Sequence, residues 1–183
     1  MTPERWPAHL RLVTQGPALP AGTAAREPSR VIDFPGRSRR RQPGPALLSR
    51  EGLWERVRTM GELAEGAPLS VVAVRVAGLA RLHERKGWEA CEEVVSTVAA
   101  EIKTLVRATD SVGRLNASTF GVALQGCGST AASAVAARLT YRLNRIPEVI
   151  PAVRIDVSAA TGTGIHSDVL IDAALEPFDD DAV

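Results

Sequence analysis

The sequence predicts an α/β sandwich, a mixed β-sheet with helices packed on it, preceded by a disordered N-terminal arm. From Leu47 onward, helical and extended periodicities alternate in the order helix, strand, helix, helix, strand, strand, helix, strand, short helix. One strand, Leu69–Val76, is almost continuously apolar and rich in β-branched residues, which indicates a strand covered on both faces. The first 46 residues carry eight prolines, which interrupt every candidate helix there.

Composition excludes several classes of protein. The chain has 183 residues, of which 45% are apolar, enough for one domain with a tail. Its net charge of +1 argues against a surface that binds polyanions, so we expect no specific nucleic acid binding. Cys91 and Cys127 are too few for a disulfide scaffold, and no run of about 18 apolar residues occurs. We therefore expect a cytoplasmic chain without a membrane span.

The chain divides into three predicted parts. Residues 1–46 form the Pro- and Arg-rich arm, which has too little apolar surface to offset the entropy of ordering. Residues 47–176 form the domain, because most of the apolar residues and all of the long periodic segments lie there. Residues 177–183 form an acidic tail that begins at a proline.

Two patches of the arm have a pattern of their own. Trp6–Val13 has an apolar spacing compatible with one or two helical turns. Val31–Phe34 is an apolar island beside the basic run Arg37–Arg41. Two interpretations stay open for both patches, namely a solvated linker and a docking or electrostatic segment.

The first half of the domain contains one strand and three helices. Ser49 is a suitable N-cap for the first helix, which Gly66 and Pro68 end. After the strand, a short helix begins at Leu79 and stops near Gly87. A strongly amphipathic helix follows, and its apolar positions are Cys91, Val94, Val95, Val98, Ile102, Leu105 and Val106.

The second half begins with a β-hairpin. Ser111–Leu115 and Thr119–Leu124 are short apolar runs on either side of a small polar turn. Ser129 is then the expected N-cap of another helix. The remaining elements are a loop between Pro147 and Pro151, a strand over Val153–Thr161 and a short helix over Val169–Leu175.

The hairpin and its flanks resemble the GGDEF domain, the diguanylate cyclase module of bacteria. The resemblance lies in the frame R-x-x-D-x-V-x-R-L, five signature residues and x-V-x-L, which runs from Arg107 to Leu124, and in Leu48–Leu53, which is similar to the L-N-R-R-x-F opening segment. The signature, usually Gly-Gly-Asp/Glu-Glu-Phe, reads Asn116, Ala117, Ser118, Thr119 and Phe120. This degenerate signature retains only the phenylalanine.

The resemblance implies a two-metal catalytic centre whose ligands this chain lacks. In the family, two divalent metals hold the substrate phosphates, and such hard metals need carboxylate oxygens. The strand aspartate falls on Arg75, the metal-binding signature acid on Thr119 and the other signature acid on Ser118. Because a guanidinium repels a cation and a hydroxyl is a poor substitute for a carboxylate, we expect no catalytic residue, no metal or other cofactor, and no cyclase activity.

Substrate recognition is altered less clearly. The guanine-reading asparagine of the family falls on His83 and its guanine-reading aspartate on Glu92. Both residues are either degenerate remnants of that recognition or ordinary surface residues. The two glycines of the family signature allow a positive φ and a close approach of the substrate phosphate. Asn116 tolerates a positive φ more readily than Ala117, so we expect the phosphate-binding turn to have a different shape here.

One motif of the family is intact. Arg107 and Asp110 form the R-x-x-D that, in the family, makes the inhibitory site for cyclic di-GMP. Arginine suits phosphates and guanine edges, and a carboxylate accepts from guanine. Arg114 and Arg138 are candidate auxiliary basic groups. The alternative is structural: Arg107 interacts with a helix C-terminus and Asp110 caps the turn.

Together these features predict a bacterial signalling protein with a catalytically inactive GGDEF-like domain. One hypothesis is a receptor that binds cyclic di-GMP through Arg107 and Asp110. The other is a protein-interaction module that uses no nucleotide and has an unidentified protein partner or forms a homodimer. An active cyclase is the least favoured of the three.

Overall fold

Six helices and five strands make up the described part of the chain, which is residues 11–15, 47–64, 66–163 and 169–179 of a computed structural model. In chain order they are β1 (Arg11–Gln15), α1 (Arg50–Leu63), β2 (Pro68–Ala77), α2 (Leu79–Lys86), α3 (Trp88–Leu105), β3 (Ser111–Arg114), β4 (Thr119–Gln125), α4 (Ser129–Leu143), α5 (Arg145–Val149), β5 (Arg154–Thr163) and α6 (Val169–Asp179).

The strands form a single sheet in the order β1-β5-β2-β4-β3, and every ladder in it is antiparallel. The expected α/β sandwich is confirmed, but the expectation of a mixed sheet needs correction. Among the described residues, parallel pairing is limited to one bridge between Leu48 and Gly113. The apolar run of β2 indicates coverage on both faces, and helices provide that coverage in an antiparallel sheet as well as in a parallel one.

Helices cover both faces of the sheet because successive side chains of a strand point to opposite sides. Val72 and Val74 of β2 pack with α2, α3 and α4 on one face. Val71 and Ala73 pack with α1 and α6 on the other face. The central strand is therefore buried on both sides, as its composition predicted.

The hairpin of β3 and β4 is confirmed, and two glycines place α1 against it. Gly113 and Gly121 are register partners in the ladder. A Cβ atom on Gly121 would lie 2.5 Å from Leu53 Cδ2, and one on Gly113 would lie 2.8 Å from Leu53 Cβ. The fully buried Leu53 thus packs directly on the backbone of the hairpin, which only glycine allows at this distance.

Some helix ends lie where the sequence predicted them, and others do not. Ser49 caps α1 as predicted, since its Oγ accepts a hydrogen bond from Gly52 N at 3.1 Å. The N-cap of α4 is Gly128, and Ser129 is the first helical residue. Pro147 lies within α5, where a loop was expected. Proline is tolerated in the first turn of a helix because the amide groups there have no intrahelical partner.

The end of the domain lies further along the chain than predicted. Helix α6 continues through Pro177 to Asp179, whereas a tail was expected from residue 177. Phe178 is buried in the core cluster that α1 and α6 form with the sheet, and Arg75 Nη1 donates to its carbonyl oxygen at 2.5 Å. These long-range contacts hold the last turn despite the proline, so at least residues 177–179 belong to the domain.

Part of the predicted arm is an ordered strand. Arg11–Gln15 forms β1 and pairs with β5, which corrects the expectation of disorder for these five residues. The helical turn considered for Trp6–Val13 does not occur at its described residues, 11–13. A sheet edge supplies hydrogen-bond partners that local composition does not reveal. Val31–Phe34 and Arg37–Arg41 lie outside the described residues.

Candidate functional site

Three side chains lie in a row across the sheet at the position of the strand aspartate. Thr119 of β4 and Asp156 of β5 are the register partners of Arg75 in β2. Arg75 Nε and Nη2 donate to Asp156 Oδ2 at 3.1 and 3.0 Å, and Arg154 Nε donates to Asp156 Oδ1 at 2.8 Å. A single carboxylate therefore lies between two guanidinium groups. Sequence reasoning missed Asp156, because its contact with Arg75 depends on the pairing of β2 with β5.

Arg75 also fastens the last turn of α6 to the sheet. Besides its bond to the Phe178 carbonyl, its guanidinium lies 4.7 Å from the centre of the Phe178 ring. Only 16% of its side chain and 17% of that of Asp156 are exposed. Over the residues that the structure describes, no three histidine, cysteine, aspartate or glutamate side chains group closely enough to hold a metal ion. The arrangement is that of a structural ion pair.

The turn at the signature positions is held by side chains of the hairpin. Arg114 Nε and Nη2 donate to the carbonyl oxygens of Asn116 and Ala117 at 3.1 and 2.7 Å. Asn116 Oδ1 accepts from the backbone N–H of Ser118 at 2.9 Å. Thr119 is buried, with 2% exposed. Arg114, a candidate ligand-binding group in the sequence, thus also closes the turn.

A cleft of about 470 Å³ separates α2 and α3 from this turn. It brings together five residues singled out by sequence, namely His83, Glu92, Arg114, Ala117 and Ser118. Trp88 lies at the same cleft, 61% exposed, and its ring packs edge-on against His83 with 6.3 Å between the ring centres. His83 and Glu92, which the resemblance aligns with guanine-reading residues of the family, therefore share one cleft with the signature turn.

A second pocket, of about 530 Å³, adjoins the cleft and shares Leu79, Ala80 and Ser118 with it. Arg75, Arg81 and Arg154 line this pocket. Basic side chains therefore surround the place where the resemblance puts metal ligands. The carboxylate of Asp156, which Arg75 and Arg154 both bind, offsets part of this positive charge.

The intact motif lies at the C-terminal end of α3. Asp110 Oδ2 accepts from the backbone N–H of Arg107 at 2.8 Å, and Arg107 O accepts from Asp110 N at 3.1 Å. The side chain of Arg107 is exposed. Arg138 Nη2 donates to the carbonyl of Leu105 in the last turn of α3. Asp110 thus caps the turn, as the structural alternative expected. Arg107 and Arg138 both lie at the C-terminal end of α3.

The pKa of Cys127, which lies just after β4, depends on the charges of Arg107 and Asp110. Burial raises the pKa of the Cys127 thiol, the negative charge of Asp110 raises it further, and the positive charge of Arg107 opposes this increase. Because the pKa is raised, the thiol stays protonated at neutral pH and is a poor nucleophile.

The network around Asp156 makes a prediction for stability. Asp156→Asn keeps the shape of the side chain but removes the charge between Arg75 and Arg154, so we expect the free energy of unfolding to fall by about 1–3 kcal/mol. Arg154→Gln is the control, because 58% of the Arg154 side chain is exposed and exposed pairs contribute less than about 1 kcal/mol. Denaturant unfolding of both variants checks this, and equal losses would contradict it.

A family comparison decides what kind of domain this is. Residues 46–170 match the family model described as "Diguanylate cyclase, GGDEF domain". The chain belongs to the GGDEF domain family. The degenerate signature, from Asn116 to Phe120, lies inside the matched range, as do the Arg107 and Asp110 motif and both pockets. None of the helices that the structure describes is long and apolar enough to cross a membrane.

Solved GGDEF structures share this fold. The GGDEF domain of DgcB from Caulobacter crescentus, in complex with c-di-GMP, is 14% identical with a TM-score of 0.61, over 80% of this chain and 95% of that one. The active GGEEF domain of a Vibrio cholerae diguanylate cyclase is 18% identical with a TM-score of 0.53, over 63% and 77%. The diguanylate cyclase SiaD from Pseudomonas aeruginosa, in complex with its activator SiaC, is 18% identical with a TM-score of 0.54, over 74% and 56%.

Proposed function

We propose that this GGDEF domain makes no cyclic di-GMP and acts as a regulatory module in cyclic di-GMP signalling. The observation that carries the proposal is the ion pair between Arg75 and Asp156 at the strand position of the metal site. Arg75 supplies no carboxylate at this strand position, and the carboxylate of Asp156 is already bound by Arg75 and Arg154. A divalent ion, which needs carboxylate oxygens, would have to displace these guanidinium groups before it could bind Asp156.

An assay with purified protein, GTP and Mg²⁺ tests the absence of cyclase activity. We expect no cyclic di-GMP above the level without protein. Thr119→Glu should also be inactive, because it adds one carboxylate while Arg75 remains. Product formation that Ser118→Ala or Thr119→Ala abolishes would show that this centre is catalytic after all, and the proposal would then fail.

For the regulatory role, we propose that the domain binds cyclic di-GMP through Arg107 and Asp110, with Arg138 beside them. Support comes from the exposed guanidinium of Arg107 and from the placement of Arg138 at the same end of α3. Guanidinium groups pair with phosphates in a two-bond geometry, and a carboxylate accepts from guanine. Arg114 donates to two carbonyl oxygens of the signature turn, so in this proposal it stabilises the turn beside the cleft and does not bind the ligand.

Calorimetry with cyclic di-GMP on the full chain tests the receptor role. Binding in the micromolar range is the expected result. If no heat of binding appears at high micromolar ligand, the receptor role fails and an interaction module without nucleotide replaces it. The complex of SiaD with its activator supports that second candidate, because it shows a protein partner bound to another protein with this fold. The cytoplasmic location of this chain and the identity of any partner stay predictions.

A further inference from the structure

The outer edge of β5 is covered by a strand that comes from outside the matched domain. Arg11–Gln15 pairs with β5 in an antiparallel ladder that runs from Arg11 opposite Thr161 to Gln15 opposite Val157. Residues 16–46, a stretch of 31, join this strand to the rest of the domain. The strand that completes the sheet is therefore tethered by a long connection.

The two edges of the sheet are protected in different ways. The edge at β3 is four residues long and ends in Arg114, and the backbone of Leu48 donates to Val112 O at 3.0 Å and accepts from Arg114 N at 2.9 Å. The part of β5 under β1 reads Val-Ser-Ala-Ala-Thr from Val157 to Thr161, with neither a charge nor a proline. Charges, prolines and short length are what normally prevent an edge from pairing with another chain. This part of the β5 edge has none of them, so its protection depends on β1.

The connection formed by residues 16–46 is long enough for β1 to reach the β5 edge of its own chain or that of a second copy. Leu48 bridges to Gly113 at the β3 edge, and β3 and β1 lie at opposite ends of five strands, about 19 Å apart at 4.8 Å per strand. A stretch of 31 residues spans at most about 100 Å when it is fully extended. A tether of this length reaches the β5 edge of its own chain and also that of a neighbouring copy.

We propose that the β5 edge is a strand-addition site whose partner is a second copy of this chain. Each copy inserts its Arg11–Gln15 beside the β5 of the other, at the register seen within one chain, and the exchange gives a twofold dimer. A second copy is the occupant that fits, because this chain's own segment already matches the edge over five residue pairs. Exchange needs two copies, so it grows with protein concentration, and an effective concentration on the order of a millimolar, typical of a segment linked to its own site, sets the scale. The inference does not depend on nucleotide binding.

Single cysteines placed in separate copies of the full chain detect the exchange. Val13 and Ala159 are register partners, so one copy carries Val13→Cys and a larger, tagged copy carries Ala159→Cys, both in a Cys127→Ser background. A disulfide between these cysteines can form only between two copies. Under mild oxidation near millimolar protein, we expect this heterodimer to form about tenfold faster than in the control mixture, because a ladder holds opposite Cβ atoms about 5 Å apart.

The control mixture pairs Val13→Cys with Glu93→Cys, which lies on the exposed face of α3. Arg11→Pro together with Leu12→Pro in the Val13→Cys copy should reduce the cross-link to the control level, because one of two adjacent N–H groups of a strand faces its neighbour and proline removes that donor. A chain that carries both Val13→Cys and Ala159→Cys reports on the register at low concentration. If that chain closes on itself while the mixed copies do not exceed the control, β1 stays with its own chain and the proposal is wrong. If neither cross-link forms, the ladder itself is absent, and the proposal is again wrong.

Discussion

Replacing Gly78 with alanine is expected to lower the free energy of unfolding by about 2–4 kcal/mol, since left-handed strain adds to overpacking. Gly78 precedes α2 with a φ of +84°. A Cβ atom there would lie 2.1 Å from the backbone carbonyl oxygen of Ala152. Backbone atoms cannot rotate away as a side chain does, so the loop before β5 has to move. The same shift would displace α2 and the cleft that its first residues line.

Denaturant unfolding of the full chain measures this loss, and Gly126→Ala is the matched control. Gly126 has a φ of +64°, and nothing lies within 4 Å of a Cβ atom placed there. The control variant therefore has only the conformational cost of alanine at positive φ, which is about 1 kcal/mol. The difference between the variants isolates the contact with Ala152. Equal losses would mean that the loop adapts without cost.

Replacing Arg107 with alanine is expected to weaken cyclic di-GMP binding at least tenfold, equivalent to about 1.4 kcal/mol, while the melting temperature hardly changes. The two effects separate because the turn uses the backbone N–H of Arg107, which alanine retains, and not its guanidinium. Loss of a charged contact to a ligand costs about 2–5 kcal/mol when buried and less at a rim. As a charge at the end of a helix, Arg107 contributes only about 0.3–1 kcal/mol to stability.

Calorimetry and thermal unfolding of the same samples check this pair of effects. Arg142→Ala is the control, because it removes one exposed charge whose pair is Glu101, 3.4 Å away on α3. Its affinity for cyclic di-GMP should equal that of the unaltered chain. Asp110→Ala should lose both binding and about 1 kcal/mol of stability, since it removes a cap. If Arg107→Ala lowers the melting temperature sharply and leaves binding unchanged, the residue is structural.

The sequence by itself determined the elements whose causes are local. The cap at Ser49, the amphipathic helix from Trp88 and the hairpin on both sides of Asn116 each depend on residues within a few positions of one another. The family resemblance also came from one continuous stretch, Arg107 to Leu124, and the family model confirms it. Short-range signals survive in a single sequence because the residues that interact are close along the chain.

Only the tertiary structure decided how the ends of the domain and the site residues are held. Arg75 pairs with Asp156, 81 residues away, and bonds to Phe178, 103 residues away. Strand β1 pairs with β5 across more than 140 positions. Such pairs depend on strand order and register, and the loop-closure entropy they must overcome leaves no mark on local composition. For this reason the sequence could indicate that an arginine stands where the family has a metal-binding aspartate. It could not indicate that Asp156 is the carboxylate that pairs with this arginine.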